Sequence, residues 1–187
     1  MASKYYYFNP FSKQYYFPKG FAKYKLFTNF YQPYTLKGKL LWVAWLKNSL
    51  LRSLCSEKLL PIFHLKQFVP KTSLLAFNTG TKGAEQKTTV LGIDTESGEQ
   101  FFIKYAATEL ARRNVNKEGI VLQQLQHLDF VPRLLARENE NSFTLLKTTI
   151  LKGKRHIDET VDTRIIAILK TIALQEIKLS YASETNL

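Results

Sequence analysis

The chain has 187 residues, 45% of them hydrophobic and 22% charged, with a mean hydropathy of −0.20, a balance that excludes a disordered chain and a polytopic membrane protein. Its formal net charge of +12 favours an anionic partner such as nucleotide phosphate, an acidic membrane surface or nucleic acid. A single cysteine, Cys55, excludes an intramolecular disulfide and a cysteine-based zinc site. The first residues lack the apolar core of a secretory signal, and the longest apolar run, Leu40–Leu46, is far shorter than the roughly 20 residues of a spanning helix. The location expected is cytoplasmic, at most peripheral to the inner face of the membrane.

The composition divides near residue 70. Residues 1–70 hold 11 Lys and Arg against one acid, Glu57, and 18 of the 25 aromatic side chains. From Tyr5 to Tyr34 the chain reads as strands and loops punctuated by Asn9-Pro10, Pro18-Lys19-Gly20 and Gln32-Pro33, with no long helix. From Leu36 to Cys55 the spacing of Leu40, Val43, Leu46, Leu50 and Leu54 predicts one helix with those residues as its apolar stripe. Trp42 and Trp45 fall off the centre of that stripe. Two roles compete for them: packing against a neighbouring domain, or resting with Lys37, Lys39, Lys47 and Arg52 on an anionic bilayer, the first being preferred. Pro61 and Pro70 bracket a short apolar connector.

Beyond residue 70 the order of elements is more informative. Leu74–Phe77, Lys87–Ile93 and Gln100–Tyr105 read as three strands of an antiparallel meander. The first turn, Asn78-Thr79-Gly80-Thr81-Lys82-Gly83-Ala84, places backbone N–H groups and the Lys82 charge where an anion could approach. In the third strand, alternation puts Phe101, Ile103 and Tyr105 on one face and Phe102 and Lys104 on the other. A lysine in the middle of such a strand either reaches solvent or meets a carboxylate. The following helix, read as Arg112–Leu128 with Val115, Val121, Leu122, Leu125 and Leu128 as its stripe, carries Glu118 on that stripe, where a carboxylate is costly without a cation. Lys104 and Glu118 are therefore expected to pair, with Glu109 as the weaker alternative. Two further strands, from Arg133 and over Phe143–Leu151, and a helix from about Asp158 to Ile177 complete the pattern.

The fold class expected is α+β: a five-stranded antiparallel sheet with one inserted helix over 71–153, preceded by the basic aromatic segment 1–70 and followed by a helix within 154–187. The glycine turn, the strand ending Phe-Phe-Ile-Lys104, the helix with Glu118, the phrase Val131-Pro132-Arg133-Leu134-Leu135 and the strand from Phe143 to Gly153 together resemble the N-lobe of the protein-kinase-like superfamily. The resemblance covers about Thr72 to Gly153 and points to the aminoglycoside phosphotransferase-like branch of small-molecule kinases. It implies that Lys104 binds the α- and β-phosphates of ATP, that Glu118 holds Lys104, and that Gly80, Thr81, Lys82 and Gly83 cover the phosphates. It also implies that Thr148, Thr149 and Ile150 form the hinge against adenine.

The family's catalytic loop, His-x-Asp followed by Asn, and its later metal-binding Asp have no counterpart. His127-Leu128-Asp129 and His156-Ile157-Asp158 are followed at the fifth position by Leu134 and Thr163. The resemblance thus implies ATP as cofactor, Mg²⁺ ligands lying elsewhere, and a region without its C-lobe, from a longer protein or a shortened relative. The acceptor expected is a sugar or lipopolysaccharide-core hydroxyl. Expected partners are the nucleotide, an anionic glycan or membrane surface, and a second copy through the C-terminal helix; the alternative is a non-catalytic membrane-surface or partner-binding module that uses the basic aromatic segment 1–70, and nucleic acid ranks last.

Overall fold

A computed structural model describes residues 3–8, 14–31, 33, 35–59, 65, 67–151, 166, 167, 170 and 171. Among them, β1 (Ser3–Phe8) and β2 (Tyr15–Pro18) lead through a 3-10 turn (Phe21–Lys23) and the one-turn α1 (Lys25–Thr28) to α2 (Leu36–Lys47), α3 (Ser49–Leu54) and β3 (Ser56–Leu59). Then follow β4 (Ser73–Asn78), β5 (Lys87–Asp94), β6 (Gln100–Ala106), α4 (Glu109–Gln124), β7 (Leu134–Asn139) and β8 (Thr144–Thr149). The α+β class and the antiparallel pairing agree with expectation. The strand number does not: eight described strands form one sheet in the order β3-β1-β2-β4-β5-β6-β8-β7, where five were expected.

The extra strands come from residues 1–70. Tyr15 and Tyr16 of β2 pair with Asn78 and Phe77 of β4, so the sheet continues across residue 70 without interruption. Bulky aromatic side chains suit a half-buried pleated surface, and here they cover both faces. On one face Tyr5, Tyr16, Phe77, Val90, Phe101, Ile103 and Leu145 form a core with Leu65 and Phe143. The connector docks there too, Lys147 Nζ donating to the Phe68 carbonyl at 2.9 Å. Burial raises the hydroxyls of Tyr5 and Tyr16 to about 12, the second helped by a hydrogen bond to Glu57, the sole acid of the first 70 residues.

On the opposite face Phe17, Ala76, Leu91 and Ile93 pack against Phe21, Phe27, Trp42 and Trp45. The two tryptophans stand three residues apart on α2, stack with ring centroids 5.2 Å apart, and meet Phe8 and Phe17. Both are buried, as the packing alternative required. The single helix over 36–55 with an inward leucine stripe is overturned. Asn48 is extended, and its side-chain oxygen accepts from the N–H groups of Leu50 and Leu51 at 3.0 and 3.1 Å, opening α3 as a new helix. The Arg52 guanidinium donates to the carbonyls of Trp45 and Leu46, satisfying the end of α2. The tryptophans face inward, and Leu40, Val43, Leu50 and Leu54 of the expected stripe are exposed.

The helix α4 begins three residues earlier than the sequence pattern suggested and packs on the α2 side of the sheet, burying Ala111, Val115 and Gly119. Gly119 is there because of proximity: a Cβ would fall 2.7 Å from the Arg137 side chain and 3.2 Å from Leu146. At the far end of the sheet the β5–β6 turn is fastened by Asp94. Its carboxylate accepts from Thr72 Oγ1 at 2.5 Å, Ser97 Oγ at 2.6 Å and the Glu96 N–H at 3.3 Å, and these donors lower its pKa from 3.8 to about 2. No described helix is long and apolar enough to cross a membrane. Of the helix expected over 158–177, residues 166, 167, 170 and 171 are helical; its other residues, with Gly153 and His156, lie outside the described residues.

Candidate functional site

Strand alternation places Phe102 and Lys104 of β6 on the face that carries α2 and α4. Register then aligns the neighbours. Leu91 of β5 and Thr148 of β8 stand opposite Phe102, while Thr89 and Leu146 flank Lys104. The side chain of Lys104 forms an ion pair and hydrogen bond with Glu118 Oε1 of α4. The two side chains are 22% and 36% exposed, so the pair lies at the rim of the packed layer. Glu109, the alternative partner, lines a separate polar depression with Arg112 and Arg113.

The pair opens onto a cavity of about 270 Å³ between α4 and the tryptophan cluster. Leu91, Phe102, Leu122 and Leu146 supply an apolar wall; Thr148, Thr149 and Ile150 form the end away from the ion pair. At about 3.3 Å per residue, Ile150, one residue past the end of β8, lies about 13 Å along the strand direction from Leu146, the residue opposite Lys104. A flat apolar group thus has a wall to lie on, and an anionic group joined to it can reach the lysine. Leu91, Phe102 and Ile150 also touch the cluster built by residues 1–70. The aromatic N-terminal segment therefore buttresses the cavity, a role that its composition did not disclose.

The strand end 148–150 is itself tied to the segment between α4 and β7. The Thr149 N–H donates to the Arg133 carbonyl at 2.9 Å and Thr149 Oγ1 accepts from the Arg133 N–H at 2.9 Å. The Leu134 N–H donates to Gln126 Oε1 at 2.9 Å. The Thr149 N–H is thus spent within the protein, and a base at this end would find its donor elsewhere.

The glycine turn stands apart from this cavity. It begins after Asn78, which shares a cross-strand row with Thr89 and Lys104, so it lies about 10 Å across the sheet from the lysine, two strand spacings. Gly80, Thr81, Lys82 and Gly83 line their own shallow depression with residues 84–87. Gly80 is required by geometry. Its φ is +70°, and a Cβ would fall 2.6 Å from the Lys87 carbonyl oxygen. The turn is moored by the Gly80 N–H to Asn78 Oδ1 at 2.9 Å, by Gln86 to the Thr79 carbonyl at 3.0 Å, and by Thr108 Oγ1 to the Ala84 carbonyl at 2.5 Å. Lys82 is exposed.

Of the expected site residues, the structure thus gathers Lys104, Glu118, Thr148, Thr149 and Ile150 at one cavity and leaves Gly80–Gly83 beside it. The apolar wall was missed, although Phe102 was legible through its parity with Lys104. Leu122 was read as packing alone. Among the described residues no group of three His, Cys, Asp or Glu is placed to hold a metal ion. His127 is exposed, its Nδ1 3.0 Å from the Gln124 carbonyl, and takes no part in the cavity. No family model matches the chain, and no curated protein matches it.

Proposed function

We propose that this cavity is an adenine-nucleotide site, and that the chain is the ATP-binding region of a kinase-like small-molecule phosphotransferase. The observation that carries the reading is the lysine in the middle of β6, held by a helix carboxylate at the mouth of an apolar cavity. Lys104 supplies charge for the α- and β-phosphates, and Glu118 keeps its ammonium from folding back on the sheet. Adenine lies against Leu91, Phe102 and Leu146, with the backbone at 148–150 along its edge. In this reading Lys82 and the turn at Gly80–Gly83 cover the outer phosphates.

The residues fit a nucleotide in part. A cavity of about 270 Å³ is at the lower limit of the ~300–1,000 Å³ usual for small ligands, so one wall is in place and binding by this region alone is weak. Mg²⁺ accompanies ATP in such enzymes; the described residues offer it no ligand set, and Glu118 is engaged by Lys104. No transfer step is assigned to them. The acceptor in this reading is a hydroxyl of a sugar or a lipopolysaccharide core. The test is calorimetric titration of ATP into the wild type and Lys104→Ala. Hydrogen bonds to charged groups contribute about 1.5–3 kcal/mol, so binding should weaken by about tenfold or more in the variant. Equal binding by both, or none by a folded wild type, would remove the proposal.

A further inference from the structure

We infer that the outer face of α2 and α3 is a docking surface for an anionic phospholipid bilayer. The helix α2 is apolar on two sides. Trp42 and Trp45 face the sheet, while Leu36, Leu40 and Val43 point away from it at 75%, 64% and 45% exposure. Past the break at Asn48, α3 exposes Leu50 at 68% and Leu54 at 71%. On α2, positions 36, 40 and 43 share one helical stripe, and on α3 Leu50 and Leu54 share another at i and i+4; exposed apolar rows of this kind mark an interaction site.

Charge selects the occupant. Neither helix contains Asp or Glu, whereas Lys37 and Lys39 are exposed on the two flanks of the α2 row and Lys47 is exposed at its end. Lys47 is the last residue of α2, four positions after Val43 on the same row. In a symmetric contact with a second copy, the lysines would approach one another with no carboxylate on either helix to neutralise them. Lipid phosphates neutralise all three while the leucines enter the boundary between headgroups and acyl chains, the arrangement of helices that lie in a membrane interface. The tryptophans take no part, because they are buried. The inference stands on a different face from the nucleotide cavity and survives the failure of that proposal.

The test is co-sedimentation of the full chain with phosphatidylcholine vesicles containing about one-third phosphatidylglycerol. The comparisons are pure phosphatidylcholine vesicles, Leu40→Ser with Leu54→Ser, and Lys37→Gln with Lys39→Gln and Lys47→Gln. Thermal melts monitor folding, and sedimentation velocity monitors self-association. The wild type should bind the anionic vesicles, release them as salt rises, and ignore the neutral ones. Each variant should melt like the wild type and lose about tenfold or more of its binding. The inference fails if the folded wild type stays in the supernatant, or if the leucine variant binds as the wild type does. It fails equally if the wild type is a dimer that the leucine substitutions dissociate and that ignores vesicles. Should the leucine variant not fold, unchanged binding by the lysine variant decides against the inference.

Discussion

Removing either partner of the Lys104–Glu118 pair should have unequal consequences for stability. In Lys104→Met the remaining carboxylate is 36% exposed and keeps water, so the loss is about 0.5–1 kcal/mol, the upper part of the range for surface pairs. In Glu118→Gln the remaining ammonium is 22% exposed beside Leu91, Phe102 and Leu146. Breaking a fully buried pair from one side costs about 3–5 kcal/mol; for this half-buried site the expected loss is about 1–2 kcal/mol, between that limit and the surface value. The double variant should be no less stable than Glu118→Gln alone, which corresponds to a coupling of about 1 kcal/mol. Urea unfolding followed by tryptophan fluorescence is a suitable assay, because Trp42 and Trp45 are buried in the fold. Coupling below about 0.3 kcal/mol, the level at which independent sites add, would refute the pairing and with it the argument that a mid-strand lysine needs its carboxylate.

Other substitutions probe the scaffold. A Cβ at Gly92 would lie 2.2 Å from the ring of Phe101, which is 1% exposed, so Gly92→Ala should destabilise by about 1–3 kcal/mol through overpacking. Calorimetry should then show a melting temperature lower by about 2–4 °C for each kcal/mol, and an unchanged melt would mean that the ring has room to move. Asp94, with its pKa lowered from 3.8 to about 2, stabilises the fold fully above the ordinary carboxylate range. That contribution is lost as pH falls from about 4 to about 2. Asp94→Asn should flatten this acid limb in pH-dependent melts; a limb as steep as the wild type's would show that other carboxylates produce it. Tyr5 and Tyr16, raised to about 12, act in the opposite direction, their stabilisation being lost as pH rises from about 10 to 12. A Tyr5→Phe variant that keeps the full alkaline loss would exclude Tyr5 as its source.

The central part of the fold was legible because its signals are local. Alternation in β5 and β6 set which side chains share a face, and one misplaced charge on a strand and another on a helix stripe pointed to each other. The N-terminal third was harder to read. Its strands are four to six residues long, and β3, Ser-Glu-Lys-Leu, has no apolar alternation to betray it. The helix over 36–55 was misread because both sides of α2 are apolar, so periodicity could not tell the buried side from the exposed one. The aromatic cluster of Phe8, Phe17 and Phe21 decided in favour of the tryptophans, which fill more volume at that contact. The break at Asn48 was visible in principle, since asparagine before Ser-Leu-Leu is a good helix cap. The glycine turn was correctly placed between β4 and β5, but sequence order could not give its distance across the sheet from Lys104.

The proposed nucleotide position between Lys104 and the strand end at 148–150 can be mapped by amide chemical shifts of the ¹⁵N-labelled chain during an ATP titration. Saturable shifts should concentrate at Lys104, Glu118, Thr148, Thr149, Ile150 and Leu91, and should disappear in Lys104→Ala. Shifts confined to the basic N-terminal segment, or absent at millimolar ATP in a folded sample, would contradict it.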